Sequence, residues 1–125
     1  MAKILVIDDD KDTMRILEAK LTDAGYQVMQ AGDGREGLEK ARQVRPDLIL
    51  LDVMMPEMDG LTLLQHLKFD SLTDRIPVVI MTAKGEKMQD LFKMEGASAY
   101  LTKPFVFPEL IAELKKCLEK KEPQP

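Results

Sequence analysis

Leu48-Ile49-Leu50-Leu51-Asp52 is an apolar run closed by a carboxylate. It does not alternate with polar residues, and at this length that is the pattern of a central strand covered on both faces of a parallel sheet. The chain therefore delivers an acid to the carboxyl end of a buried strand. Two other runs are built the same way. Lys3 to Ile7 (Lys-Ile-Leu-Val-Ile) ends in Asp8-Asp9-Asp10, and Val78-Val79-Ile80-Met81, entered through Pro77, ends at Thr82. Tyr26 to Gln30 and a short stretch of about Ala99 to Leu101 read as two further strands.

Helical periodicity fills the gaps between these runs. From Asp12 onward Met14, Leu17, Leu21 and Ala24 recur at three- and four-residue spacing, and Gly25 stands where a left-handed cap stops a helix. Asp33 precedes Glu36 by three residues, an N-cap with a reciprocal acid, and opens a helix to about Val44, after which Pro46 closes the connection. Pro56 and Asp59-Gly60 form a turn before a third helix carrying Leu61, Leu64 and Leu67. A fourth helix, roughly Glu86 to Glu95, presents Met88, Leu91 and Phe92. Pro108 suits the first turn of a fifth, whose stripe is Leu110, Ile111, Leu114, Cys117 and Leu118. Five strands alternating with five helices predict an α/β fold: a doubly wound five-stranded parallel sheet with helices on both faces.

The whole chain has 125 residues, near the common size of one domain, with 45% apolar and 32% charged residues, a globular composition. No internal repeat or second domain is visible. The formal charge of −4 argues against a global basic surface and hence against direct nucleic-acid binding. Ile4-Leu5-Val6-Ile7 is too short for a signal segment or a membrane span. The single cysteine, Cys117, has no partner for an intramolecular disulfide, and the chain lacks a second thiol for a zinc site, which suits the cytoplasm.

In an open doubly wound sheet, ligands sit beyond the carboxyl ends of the strands. The residues at those ends are Asp8 and Asp9, Asp52, Thr82 and, just past the last strand, Lys103. Three carboxylates at one edge repel one another, and a hard divalent ion resolves the repulsion. Oxygen ligands with retained waters suit Mg2+. Lys103 is a compact charge able to hold an anionic oxygen. A carboxylate nucleophile, a metal, a lysine and a hydroxyl together are what phosphoryl transfer requires: positioning, and neutralisation of charge on the transferring oxygens.

These residues also carry a resemblance. Ile7-Asp8-Asp9-Asp10, Leu51-Asp52-Val53-Met54-Met55-Pro56-Glu57-Met58-Asp59-Gly60, Met81-Thr82-Ala83 and Tyr100-Leu101-Thr102-Lys103-Pro104-Phe105 resemble the receiver domains of two-component response regulators, of the chemotaxis-regulator kind, over residues 3 to about 120. The resemblance implies a flavodoxin-like sheet of strand order 2-1-3-4-5, with residues 1–120 forming the receiver and 121–125 a disordered tail or the start of a linker. It implies that Asp52 is the phosphoacceptor, taking its phosphoryl group from a sensor histidine kinase or phosphotransfer protein. Asp9, Asp52 and the backbone carbonyl of Met54 would hold Mg2+ (or Mn2+) directly, and Asp8 through a bound water. Thr82 and Lys103 would contact the phosphoryl oxygens, Thr82 and Tyr100 would act as the switch, and the Lys103-Pro104 bond would be cis.

The same resemblance implies a signalling phosphoacceptor rather than a turnover enzyme, one that promotes its own phosphorylation and slow autodephosphorylation, with Met54 and Lys84 influencing the latter. The surface of the fourth helix, fifth strand and fifth helix would respond and engage a downstream target or fused output domain. The chain would act as a monomer or a weak phosphorylation-dependent dimer.

Other assignments are plainer. One of Asp10 and Asp12 caps the first helix, and neither is given to the metal. His66 lies on a solvated helix face, and the nine methionines are mostly core filler. Glu95-Gly96-Ala97 departs mildly from the family's Ala-Gly-Ala and bears on local packing. An aspartyl-phosphate hydrolase would use the same nucleophile, but it needs a second acid two residues on, where Met54 stands. A flavin binder fits the architecture, but three aspartates after the first strand would repel a flavin phosphate. A receiver used only for docking is compatible with the same residues.

Overall fold

The computed structural model describes residues 1–52, 60–82, 89–104 and 106–119. Its elements run β1 (Lys3–Ile7), α1 (Lys11–Asp23), β2 (Gln27–Ala31), α2 (Gly34–Val44), β3 (Leu48–Asp52), α3 (Gly60–Phe69), β4 (Val78–Thr82), α4 (Gln89–Met94), β5 (Ala99–Thr102) and α5 (Phe107–Glu119). The strands form one sheet in the order β2-β1-β3-β4-β5, and every pairing is parallel. This is the flavodoxin-like arrangement expected from the sequence.

The unalternated runs are explained by two separate core layers. Because successive side chains of a strand point to opposite faces, Ile4, Val6, Leu48, Leu50, Val79 and Met81 pack with Leu17 and Leu21 of α1 and Leu110, Leu114 and Cys117 of α5. Leu5, Ile7, Ile49, Leu51, Val78 and Ile80 face the other way, against Ala41 of α2, Leu63, Leu64 and Leu67 of α3 and Phe92 of α4. All residues of β3 and β4 are buried. Each fully buried Leu or Ile contributes about 1.5–3 kcal/mol of transfer free energy, so the three central strands hold the frame on which the site is mounted.

Element ends follow from local hydrogen bonds. Asp10, not Asp12, caps α1, its side chain accepting from the Asp12 N–H. At the other end Gly25, at φ 97°, allows Gly25 N–H to reach the Thr22 carbonyl and Tyr26 N–H to reach that of Leu21. Tyr26 is thus consumed by the helix cap, which is why β2 begins at Gln27 and not at Tyr26 as expected. β2 extends to Ala31, whose carbonyl accepts from the Asp8 N–H at 3.1 Å.

Asp33 caps α2 through the Glu36 N–H at 2.8 Å, but Glu36 reaches back to the N–H of Gly32 rather than to that of the cap itself. α2 ends on Arg45 in the left-handed conformation at φ 45°. β5 runs one residue beyond its expected end, to Thr102. Of the expected fourth helix the structure describes Gln89–Met94, closed by Gly96 at φ 102°; residues 83–88 lie outside the described residues. The expected turn at Pro56 and Asp59 is likewise outside them. His66 is exposed.

Candidate functional site at the carboxyl edge of the sheet

Parallel register brings the strand ends level. Ile7 pairs with Leu51 and Asp52 with Met81, so Asp8 stands beside Asp52, and Thr82 projects one residue past it; Thr82 in turn pairs with Thr102, next to Lys103. The structure therefore brings Asp8, Asp52, Thr82 and Lys103 to one edge. Asp9 follows Asp8 as an exposed residue on the same rim. Met54, Lys84 and Phe105 lie outside the described residues.

Asp8 and Thr82 have no exposed surface, and Asp52 is 3% exposed. Such burial strips carboxylates and hydroxyls of water and requires compensation. Asp52 Oδ2 accepts from Lys103 Nζ at 2.9 Å, an ion pair whose lysine stays partly open to solvent. Asp8 Oδ1 accepts from the Asp10 N–H at 2.9 Å, whereas Asp8 Oδ2 and Thr82 Oγ1 have no hydrogen-bond partner among the described residues. Burial, reinforced by the negative charge of Asp52, pushes the Asp8 carboxyl up to about 7, against the opposing pull of the Asp10 N–H and Lys103. Asp10, on the rim, is held below the usual carboxylate range by the Thr13 hydroxyl and the Asp12 N–H.

The switch candidates are also placed. The Lys103 N–H donates to the Thr82 carbonyl at 2.7 Å, extending the β4–β5 ladder by one rung and tying the ammonium-bearing residue to the backbone of Thr82. The Tyr100 hydroxyl is buried without a partner among the described residues, and its ring lies against Phe92 of α4, centroids 5.9 Å apart at 42°. The Lys103-Pro104 peptide bond is cis. Sequence reasoning did not foresee the Asp10 N–H on Asp8 or the Phe92–Tyr100 contact. The first could have been suspected from a cap residue two positions after a buried acid. The second has no sequence signal.

Hard oxygen donors, a buried carboxylate oxygen without a partner among the described residues and mutual repulsion between Asp8 and Asp52 make the donor set fit a divalent cation. Among the described residues no group of three or more His, Cys, Asp or Glu side chains forms a ready cage. Mg2+ does not require one, since it keeps several waters and is held by one or two carboxylates.

A parallel 2-1-3-4-5 sheet with acids at the ends of β1 and β3, a hydroxyl at the end of β4 and a lysine after β5 defines a doubly wound domain with an acidic edge. The model of the response regulator receiver domain family matches residues 4–115, and the chain belongs to that family. It is 42% identical over 121 residues to the DNA-binding dual master transcriptional regulator RpaA of Synechocystis, covering 96% of this chain and 50% of that protein. It is 51% identical over 106 residues to the response regulator PleD of Caulobacter vibrioides, covering 82% of this chain and 23% of PleD. The chain thus spans about half the length, or less, of these curated relatives.

Among solved structures, the chemotaxis response regulator CheY4 of Vibrio cholerae superposes with a TM-score of 0.86 at 35% identity, covering 94% of this chain and 98% of that one. The receiver domain of the Francisella response regulator 1452 gives 0.89 at 32%, covering 98% and 100%. Receiver domains of response regulators are signalling switches. Among the described residues no helix is long and apolar enough to cross a membrane.

Proposed function

We propose that the chain is a phosphoacceptor switch in which Asp52 takes a phosphoryl group from the phosphohistidine of a sensor histidine kinase or phosphotransfer protein. The observation that carries the reading is the Lys103–Asp52 ion pair at 2.9 Å beside two buried oxygens, Asp8 Oδ2 and Thr82 Oγ1, that lack partners among the described residues. An acid, a cation and unused polar atoms at one edge suit a phosphoryl group better than any purely structural role. Both unpartnered groups are costly to bury and are satisfied once a cation and phosphoryl oxygens arrive.

In this mechanism an Asp52 carboxylate oxygen attacks phosphorus in line. The new O–P bond forms as the P–N bond of the phosphohistidine breaks, and the bonding pair leaves with the imidazole nitrogen. Asp9, Asp52 and the Met54 carbonyl would hold Mg2+ (or Mn2+), with Asp8 acting through a water. The ion supplies charge neutralisation at the transferred oxygens. Lys103 exchanges its Asp52 contact for a phosphoryl oxygen, and Thr82 donates its hydroxyl to another. Autodephosphorylation returns Asp52 to its free state, influenced by Met54 and Lys84.

Residues 1–120 act as the receiver and 121–125 as a tail or linker start. Since Lys103 N–H is bonded to the Thr82 carbonyl, movement of either residue draws on the other, and Tyr100 with Phe92 relays the change to the surface of α4, β5 and α5. That surface would bind a downstream target or fused output domain in the cytoplasm, as a monomer or a weak phosphorylation-dependent dimer.

The test is chemical. After incubation with acetyl phosphate and Mg2+, borohydride reduces an aspartyl phosphate to homoserine, which peptide mass mapping locates. Homoserine at position 52 is expected; homoserine at another aspartate, or none under conditions that trap a control aspartyl phosphate, would reject the reading.

A further inference from the structure

Asp8 is wholly buried, yet only one of its carboxylate oxygens has a hydrogen-bond partner among the described residues, and that partner is the backbone N–H of Asp10. The donor that fixes Asp8 Oδ1 is therefore a peptide group two residues along the chain, while the rest of the carboxyl faces that of Asp52. That group is itself gripped on every side. The Asp10 carbonyl accepts from the Met14 N–H at 3.0 Å, the first bond of α1. Its side chain spreads over the helix start: Oδ1 accepts from the Asp12 N–H at 3.1 Å and Oδ2 from the Thr13 hydroxyl at 2.7 Å. The backbone at Asp10 is extended, at φ −88° and ψ 112°, as an N-cap requires.

We infer that Asp10 is a positioning residue for Asp8. By capping α1 through Asp12 and Thr13, it pins the N–H that occupies Asp8 Oδ1 and leaves Oδ2 as the oxygen offered to the cation site. The inference rests on the proposed metal role of Asp8, and it assigns Asp10 and Thr13 to support of the ion rather than to ligation. Outer hydrogen-bond partners of a metal site govern affinity by holding the inner groups in place, commonly by a factor of ten or more. A third carboxylate can also act merely by its charge. The geometry separates the two: asparagine caps a helix as well as aspartate but carries no charge, whereas alanine does neither.

The experiment is Mg2+ titration by calorimetry at physiological ionic strength. The proteins are the parent, Asp10→Asn, Asp10→Ala and Thr13→Val, each confirmed as folded by circular dichroism, with the residue-10 amide resonance followed in metal-free protein. Asp10→Ala should weaken Mg2+ binding about tenfold and move that amide upfield, as its bond to Asp8 loosens. Asp10→Asn should stay within about twofold of the parent, because a rim charge is largely screened. Thr13→Val, which keeps the shape but loses the hydroxyl, should show part of the alanine effect, and it carries the test if Asp10→Ala does not fold. Equal losses in Asp10→Asn and Asp10→Ala would replace positioning by charge and overturn the inference. So would parent-like affinity in Asp10→Ala, or in Thr13→Val if that variant alone is available. If the parent itself binds no Mg2+, the metal reading fails and this inference with it; parent binding with unaffected variants sinks this inference alone.

Discussion

Replacing Asp8 by Asn should make the metal-free protein more stable at neutral and alkaline pH. The Asp8 carboxyl, ordinarily at 3.8, is pushed up to about 7 in the folded chain, first by burial and then by the charge of Asp52. Between those two values the folded state holds a proton that the unfolded chain has released, so stability falls as pH rises through this window and is lowest above it. The gap corresponds to roughly 4 kcal/mol once both states are ionised. Asparagine keeps the shape and the acceptor for the Asp10 N–H and has no proton to lose.

Urea unfolding followed by far-UV circular dichroism, in chelator, at intervals from pH 4 to pH 8, gives the comparison. The difference between variant and parent cancels the other titrating groups. It should be small near pH 4 and grow to several kcal/mol near pH 8. Adding Mg2+ should shrink it by stabilising the parent more than the variant, which keeps Asp9 and Asp52 but lacks the Asp8 charge. A variant no more stable than the parent at pH 8, or a difference independent of pH, would refute the argument that Asp8 is held by the fold against its own ionisation.

Two further perturbations test the frame around the site. Lys103→Met removes the cation facing the nearly buried Asp52 carboxylate; chemical denaturation in chelator should show a loss of about 1–3 kcal/mol, restored in part by Mg2+. At Gly37 on α2, an added Cβ would lie 2.6 Å from Ile7 Cδ1 and 3.0 and 3.1 Å from its Cγ1 and Cγ2, so Gly37→Ala should cost about 1–3 kcal/mol in the same measurement. Gly37→Ala combined with Ile7→Val should recover part of that loss, since the valine withdraws the closest atom.

The sheet was readable because burial on both faces leaves no room for polar residues. β1, β3 and β4 announce themselves as unbroken apolar runs, and the residues that follow such runs must meet at one edge. That topological fact made Asp8, Asp52 and Thr82 recognisable as a group, and Lys103 joined them as the residue just past the short β5. β2, on the sheet edge, is half-exposed and mixed in composition, and its start was displaced by one residue because the cap of α1 claimed Tyr26.

What stayed hidden depends on atoms rather than on patterns. Two aspartates were equally eligible to cap α1, and only the backbone geometry at Asp10 decides between them. Glu36 was expected to answer its cap residue, yet it accepts from the N–H of Gly32, one residue earlier. The close approach of Gly37 to Ile7 and the contact between Phe92 and Tyr100 arise from how α2 and α4 lie across the sheet, which periodicity does not encode.

The central claim is that Asp52 accepts a phosphoryl group with the help of a divalent cation. Intact-mass measurement after incubation with acetyl phosphate, with and without Mg2+, on the parent and on Asp52→Asn, tests it directly, with beryllofluoride binding as the control for a short-lived adduct. A single phosphoryl adduct that requires both Mg2+ and Asp52 is the predicted result. An adduct of full yield on Asp52→Asn, or neither adduct nor beryllofluoride binding on the parent, would contradict it.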